Sequence, residues 1–175
     1  MEKEFVVYQS KSKQIGLSFL GMLMVLVSFF ILIVGIVETM YLFMVIGIMG
    51  FLFFGACELY IVKQVFVGKK LVVLNDVGFY DYSSALSTKE QLILWEEIDK
   101  IENKSIVNQS FVSVYLKEPE QVLSGLSSLQ RKTIAANVKM GFGEINITLQ
   151  SAKSCTDDQL ISKMNSFIED KVRKE

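Results

Sequence analysis

The 175-residue chain contains no histidine, a single proline and two cysteines. The missing histidine removes the usual general base near neutral pH, the usual activator of a serine or cysteine nucleophile and the commonest zinc ligand together. Most hydrolase schemes go with it, and no catalytic or metal-binding set is expected. Cys57 falls in a long apolar run, Cys155 lies far downstream, and no Cys-x-x-Cys occurs. They read as a small apolar residue and a free surface thiol. A net charge of −1 offers no global attraction to nucleic acid, so that class of partner is set aside. With 51% hydrophobic and 21% charged residues, disorder, collagen and a disulfide scaffold are excluded as well.

Charge is scarcest between Ile15 and Val62, where Glu38 and Glu58 are the only charged residues. From Ile15 to Val37 the chain is uncharged for 23 residues; as a helix this reaches roughly 35 Å, against a hydrocarbon core of about 30 Å. A second run from Met40 to Val62 is broken only by Glu58. Two membrane-spanning helices joined by a turn at about Val37 to Met40 follow from this pattern. The first run is too long for a signal peptide and lacks a small-residue cleavage site, so it is expected to be retained. Lys3, Lys11 and Lys13 precede the hairpin, Lys63, Lys69 and Lys70 follow it, and the turn has no Lys or Arg. That bias predicts a membrane protein with both termini cytoplasmic. Lys63, Lys69 and Lys70 are the candidates for membrane-surface contact, each gaining about 1 kcal/mol near anionic lipid. Glu58, near the end of its helix, is expected to reach the headgroup region. The helix glycines follow no four-residue repeat and read as points of close approach between the two helices.

Downstream of the hairpin, residues 67–175 are enough for one small domain with its own core. Lys70 to Asn75 is a β-branched run closed by the turn signal Asn75-Asp76-Val77-Gly78, and Phe79 to Tyr82 reads as the second strand of a hairpin. Gln91 to Trp95 gives a third strand. Trp95, Ile98 and Ile101 recur at three-residue spacing, which predicts a short turn laying one apolar edge on the sheet. Phe111 to Leu116 and Glu144 to Leu149 alternate as half-buried strands, with one or two helices between Glu118 and Met140. Thr156-Asp-Asp-Gln159 has capping-box spacing, and Leu160, Ile161, Met164, Phe167, Ile168 and Val172 form the apolar stripe of a closing amphipathic helix. Trp95, Ile98, Ile101 and Phe167 are the expected structural core. Phe5 to Tyr8 is a candidate edge strand. The carboxylates Glu96, Glu97, Asp99 and Glu102 alternate with Lys100 and Lys104 and read as a solvated face.

The expected class is α+β: a cytoplasmic segment 1–14, a transmembrane helical hairpin 15–62, and a cytoplasmic domain 67–175 whose strands and terminal helix suggest a pleckstrin-homology (PH)-like curved sheet capped by a C-terminal helix. The order Leu74-Asn-Asp-Val-Gly-Phe79, Ser83-Ser84, Leu94-Trp95-Glu-Glu-Ile98-Asp-Lys-Ile101, Glu118-Pro119 and Ile145 to Leu149 resembles an uncharacterised family of bacterial inner-membrane proteins with a PH-like cytoplasmic domain. The resemblance spans nearly the full chain and assigns no activity, although related membrane-tethered PH-like proteins include immunity factors against membrane-active bacteriocins. Sequence and resemblance together predict a non-enzymatic, membrane-anchored binding or assembly module, without a cofactor. Its expected partners are the lipid bilayer and a protein or peptide, and its binding residues are unassigned. Immunity against a membrane-active toxin is the alternative, and an unrecognised enzyme a second one.

Overall fold

Residues 4–173 are described in a computed structural model. Lys3, one of the six flanking lysines, lies outside them. Strand β1 (Phe5–Tyr8) precedes the first apolar helix, α1 (Lys11–Val37), and pairs antiparallel with β2 (Lys70–Leu74), which follows the second, α2 (Tyr41–Val67). Val6 faces Val73 and Val7 faces Val72 in that ladder. The two helices are therefore an insertion between two paired strands of one sheet. Residues 4–9 belong with 70–173 as one compact unit and residues 10–69 form the other. This differs from a division at residues 14 and 67, because ladder hydrogen bonds carry the N-terminal strand across the insertion.

Both helices are long and apolar enough to cross a membrane, and only 11% of the most apolar window of each is buried. Their turn is closed by local geometry. Met40 N–H donates to Gly35 O at 2.8 Å and Thr39 N–H to Ile36 O at 3.3 Å, with Thr39 in the left-handed region at φ 58°. At Gly47 a Cβ would come within 2.6 Å of the Leu32 backbone, so glycine is what lets the helices approach there. The second helix runs five residues past Val62 and stops at Gly68, whose positive φ of 66° ends the turn.

The other unit holds two antiparallel sheets. One has the order β1-β2-β3-β4, with β3 Gly78–Asp81 and β4 Ile93–Leu94; the other has the order β5-β6-β7, with β5 Ile98–Ile106, β6 Gln109–Leu116 and β7 Ile145–Ile147. Asn75 folds the β2–β3 turn by accepting from Val77 N and Gly78 N through Oδ1 at 3.0 and 2.9 Å. Between β6 and β7 come α3 (Pro119–Val122) and α4 (Ser128–Lys139), and α5 (Asp157–Val172) closes the chain. Thr156 and Gln159 complete the capping box at the start of α5. Leu160, Met164 and Phe167 on α5 join Leu74, Phe79, Ile93, Val112, Val114 and Ile147 in one core.

Two expectations change in this unit. The third strand is only two residues long. Ile98 and Ile101 lie on a strand, not in a helical turn; the helical part is a 3-10 turn confined to Trp95–Glu97. A register shift between Ile98 and Lys100 adds a residue to β5, so that two apolar residues three apart both reach the core. Leu129 and Val138 on α4 are 61% and 44% exposed, and α4 buries no residue fully.

Candidate functional site

Trp95 fixes the corner from which β5 departs. It is 3% exposed, its ring stacks on Phe167 at 5.7 Å and 18° and tilts against Phe79 at 5.8 Å, and its Nε1 donates to Asn75 O at 2.9 Å. One side chain thus ties the β2–β3 turn and α5 to the start of β5. Beyond it, β5 extends for nine residues paired to β6 alone. Its other edge has no strand partner among the described residues. Side chains alternate along it: Ile101 packs toward the core and Asn103 Nδ2 donates to Asp158 Oδ1 of α5 at 3.3 Å, while Lys100, Glu102 and Lys104 share the opposite face.

Those three charges form a short ladder. Glu102 meets Lys100 at 3.2 Å and Lys104 at 3.3 Å, and Lys100 lies over the Tyr115 ring at 4.3 Å. Hydrogen bonds from the two ammonium groups, Lys100 first, hold the Glu102 carboxyl below the usual carboxylate range, and the Glu102 carboxylate in turn raises Lys104. Glu96 pairs with Lys171, and Glu97 Oε2 accepts from Leu94 N at 2.8 Å. The acidic group read from sequence is therefore dispersed over a turn and a strand. Among the described residues no three potential metal ligands come together. Such a face offers backbone donors and acceptors beside fixed charges of both signs.

Neither the families of known proteins, nor curated proteins, nor solved structures provide a match to this chain.

Elsewhere on the same unit, a groove of about 660 Å³ between α3 and α4 is floored by Leu123, Ile134 and Val138 and rimmed by Arg131, Lys139 and Glu144. Cys155 lines a smaller groove with Phe5 and Lys163. Its thiol is pushed up, first by burial and then by the nearby Asp157 carboxylate. Trp95, Ile98 and Phe167 are core residues and Ile101 packs against them. Lys63 is an exposed residue of α2, Lys69 is half-buried after the helix, and Lys70 opens β2 opposite Tyr8.

In the helical unit the placement of Glu58 overturns a sequence expectation. It does not reach outward; it is 6% exposed and its Oε1 accepts a hydrogen bond from the Ser18 hydroxyl of α1. A Cβ at Gly21 would collide with its carboxylate. The antiparallel hairpin explains this, since Ser18 and Glu58 lie at similar distances on either side of the turn and so face each other. Counting outward from the turn was the signal available in the sequence. The open edge of β5 had none, because its polar composition resembles a loop.

Proposed function

We propose that the chain is a two-helix protein of a bacterial inner (plasma) membrane, with both termini cytoplasmic, whose PH-like domain is a non-enzymatic module that binds an extended peptide segment along β5. The observation that carries this reading is the nine-residue strand paired on one side only, with α5 beside it. An added strand would gain main-chain hydrogen bonds along the edge, and alternate side chains would supply selectivity against the Lys100–Glu102–Lys104 face. Four strands in one sheet, three in the other and a terminal helix favour the PH-like assignment. The pairing of β1 with β2 favours the topology, because both ends of the hairpin return to one sheet. Lys63, Lys69 and Lys70 would then support contact with anionic lipid at the cytoplasmic leaflet.

Two experiments test it. External labelling of intact cells should modify a Thr39→Cys side chain and leave Cys155 untouched; the opposite pattern overturns the orientation. A photo-reactive residue placed at Ser105, exposed near the end of β5, should yield partner adducts, and one at Ser166 on α5 should not. Replacing residues 15–62 with an unrelated hairpin should leave the Ser105 adducts intact. The exposure of Phe19, Phe30 and Phe53, at 79%, 66% and 63%, favours a second reading, immunity against a membrane-active toxin intercepted within the bilayer. In that case the native chain protects cells from a pore-forming bacteriocin and the replaced hairpin does not.

A further inference from the structure

Polar atoms inside the helical unit are few, and one of them lacks a hydrogen-bond partner. Oε1 of Glu58 is engaged by Ser18, whereas Oε2 is buried with no hydrogen-bond partner. Buried acceptors are ordinarily satisfied, and carboxylates at membrane depth are costly enough that they mark sites where something binds. Glu58 also lines a lateral groove of about 440 Å³ whose other walls include Met22 and Val25 of α1 and Phe51, Leu52 and Leu59 of α2. That volume is within the range of small-molecule sites, and walls this apolar with one acidic group define the chemistry they match. At Gly55, on the same groove, an added Cβ would meet nothing within 4 Å.

We propose that this groove binds a lipophilic amine: a protonated primary or secondary amino group that donates to Glu58 once its carboxylate turns from Gly21 into the groove, carried on an alkyl or aryl body that lies along the apolar walls. A divalent cation is a poorer match, since one carboxylate and one hydroxyl fall short of the six or more oxygens calcium or magnesium takes. A second copy of the hairpin is a poorer source of the cation, because residues 15–62 contain no Lys or Arg and its helix lysines lie beyond that span. An aminophospholipid is disfavoured by depth. Glu58 precedes Lys63 by five residues, roughly 7 Å along the helix, and the lipid's phosphate holds its ammonium near the surface. The inference rests on the helices lying in a bilayer and is independent of peptide binding at β5.

The test uses the full chain in lipid discs of phosphatidylcholine and phosphatidylglycerol, with a long-chain alkylamine bearing a diazirine in its chain. Photo-adducts should map to Met22, Val25, Phe51 or Leu52, and dodecylamine should compete where dodecanol does not. Glu58→Gln keeps the shape and removes the charge-assisted hydrogen bond, so labelling should fall at least about tenfold. Gly55→Leu fills the groove and should abolish labelling, with the thermal unfolding midpoint of neither variant below that of the native chain. Equal labelling of Glu58→Gln, equal competition by dodecanol, or adducts spread evenly onto Phe19 and Phe30 overturns the proposal. Discs containing phosphatidylethanolamine should label as strongly; suppression there assigns the groove to a lipid headgroup and overturns the free amine. A chain that does not enter discs overturns the membrane reading and this inference with it, whereas one that enters and labels evenly overturns the inference alone.

Discussion

Removing the Phe167 ring takes away the flat surface on which Trp95 stacks and leaves a cavity among residues that are almost fully buried. Phe167→Ala should cost about 3–5 kcal/mol, a large share of the roughly 5–15 kcal/mol that holds a domain together. Because Trp95 is the only tryptophan, its emission should shift to the red in the variant and report a lower urea midpoint; a midpoint within error of the native one would contradict the packing described. Cys155 makes a separate prediction. Its folded thiol is raised by burial and by Asp157, so the folded state holds the proton to higher pH than the unfolded state does. Stability from this source is complete below the unfolded value of about 8.5 and is lost as pH rises through the folded value. Iodoacetamide should therefore modify Cys155 more slowly than a peptide thiol at pH 8, and Cys155→Ser should flatten stability between pH 8 and 10.

At the level of elements, the sign of a single change follows from what the altered side chain meets. Thr156 accepts from Gln159 N at 3.3 Å, and Gln159 Oε1 accepts from Thr156 N at 3.1 Å. Thr156→Ala removes the first of these and should lower stability by about 1 kcal/mol, read as a shifted urea midpoint with unchanged slope. The helical unit offers a paired comparison. Gly55 has open space around a would-be Cβ, so Gly55→Ala should raise helix stability by roughly 0.5–1 kcal/mol. Gly47→Ala places the same methyl group against the Leu32 backbone and should lower it. Thermal unfolding in detergent followed by far-UV circular dichroism separates the two, and equal shifts would refute the close approach.

At the scale of the molecule, the inserted hairpin makes a fragment beginning near Val67 incomplete. Such a fragment lacks β1, and with it Val7, which is 2% exposed in the core. A version in which a short Gly-rich linker joins Gln9 to Lys69 restores the β1–β2 ladder as an ordinary hairpin. It should unfold cooperatively and be more stable than the fragment by at least about 2 kcal/mol, the scale of burying one valine together with its strand. Equal urea midpoints would show that β1 contributes nothing. The open length of β5 belongs to this scale too, since an edge exists only once the sheet is assembled.

Much was legible because it depends on local pattern. The apolar runs, the turn at Val37 to Met40, the Asn75 turn, the Phe111 to Leu116 strand and the capping box at Thr156 all announce themselves within a few residues. Their hydrogen bonds close between neighbours and their burial follows a fixed period. What the sequence by itself determined is therefore the inventory of most elements and the apolar character of the helical pair. Only the tertiary structure decided which distant residues meet. The core side of Ile98 and Ile101 depends on a bulge in a strand whose Asp-Lys-Glu-Asn-Lys composition has no period, and that register is imposed by β6 across the sheet. The partner of β1 lies beyond two helices, so no window of the chain contains both strands. The meeting of Ser18 with Glu58 has the same cause: a carboxylate in an apolar helix is conspicuous, but its direction is set by the helix packed against it.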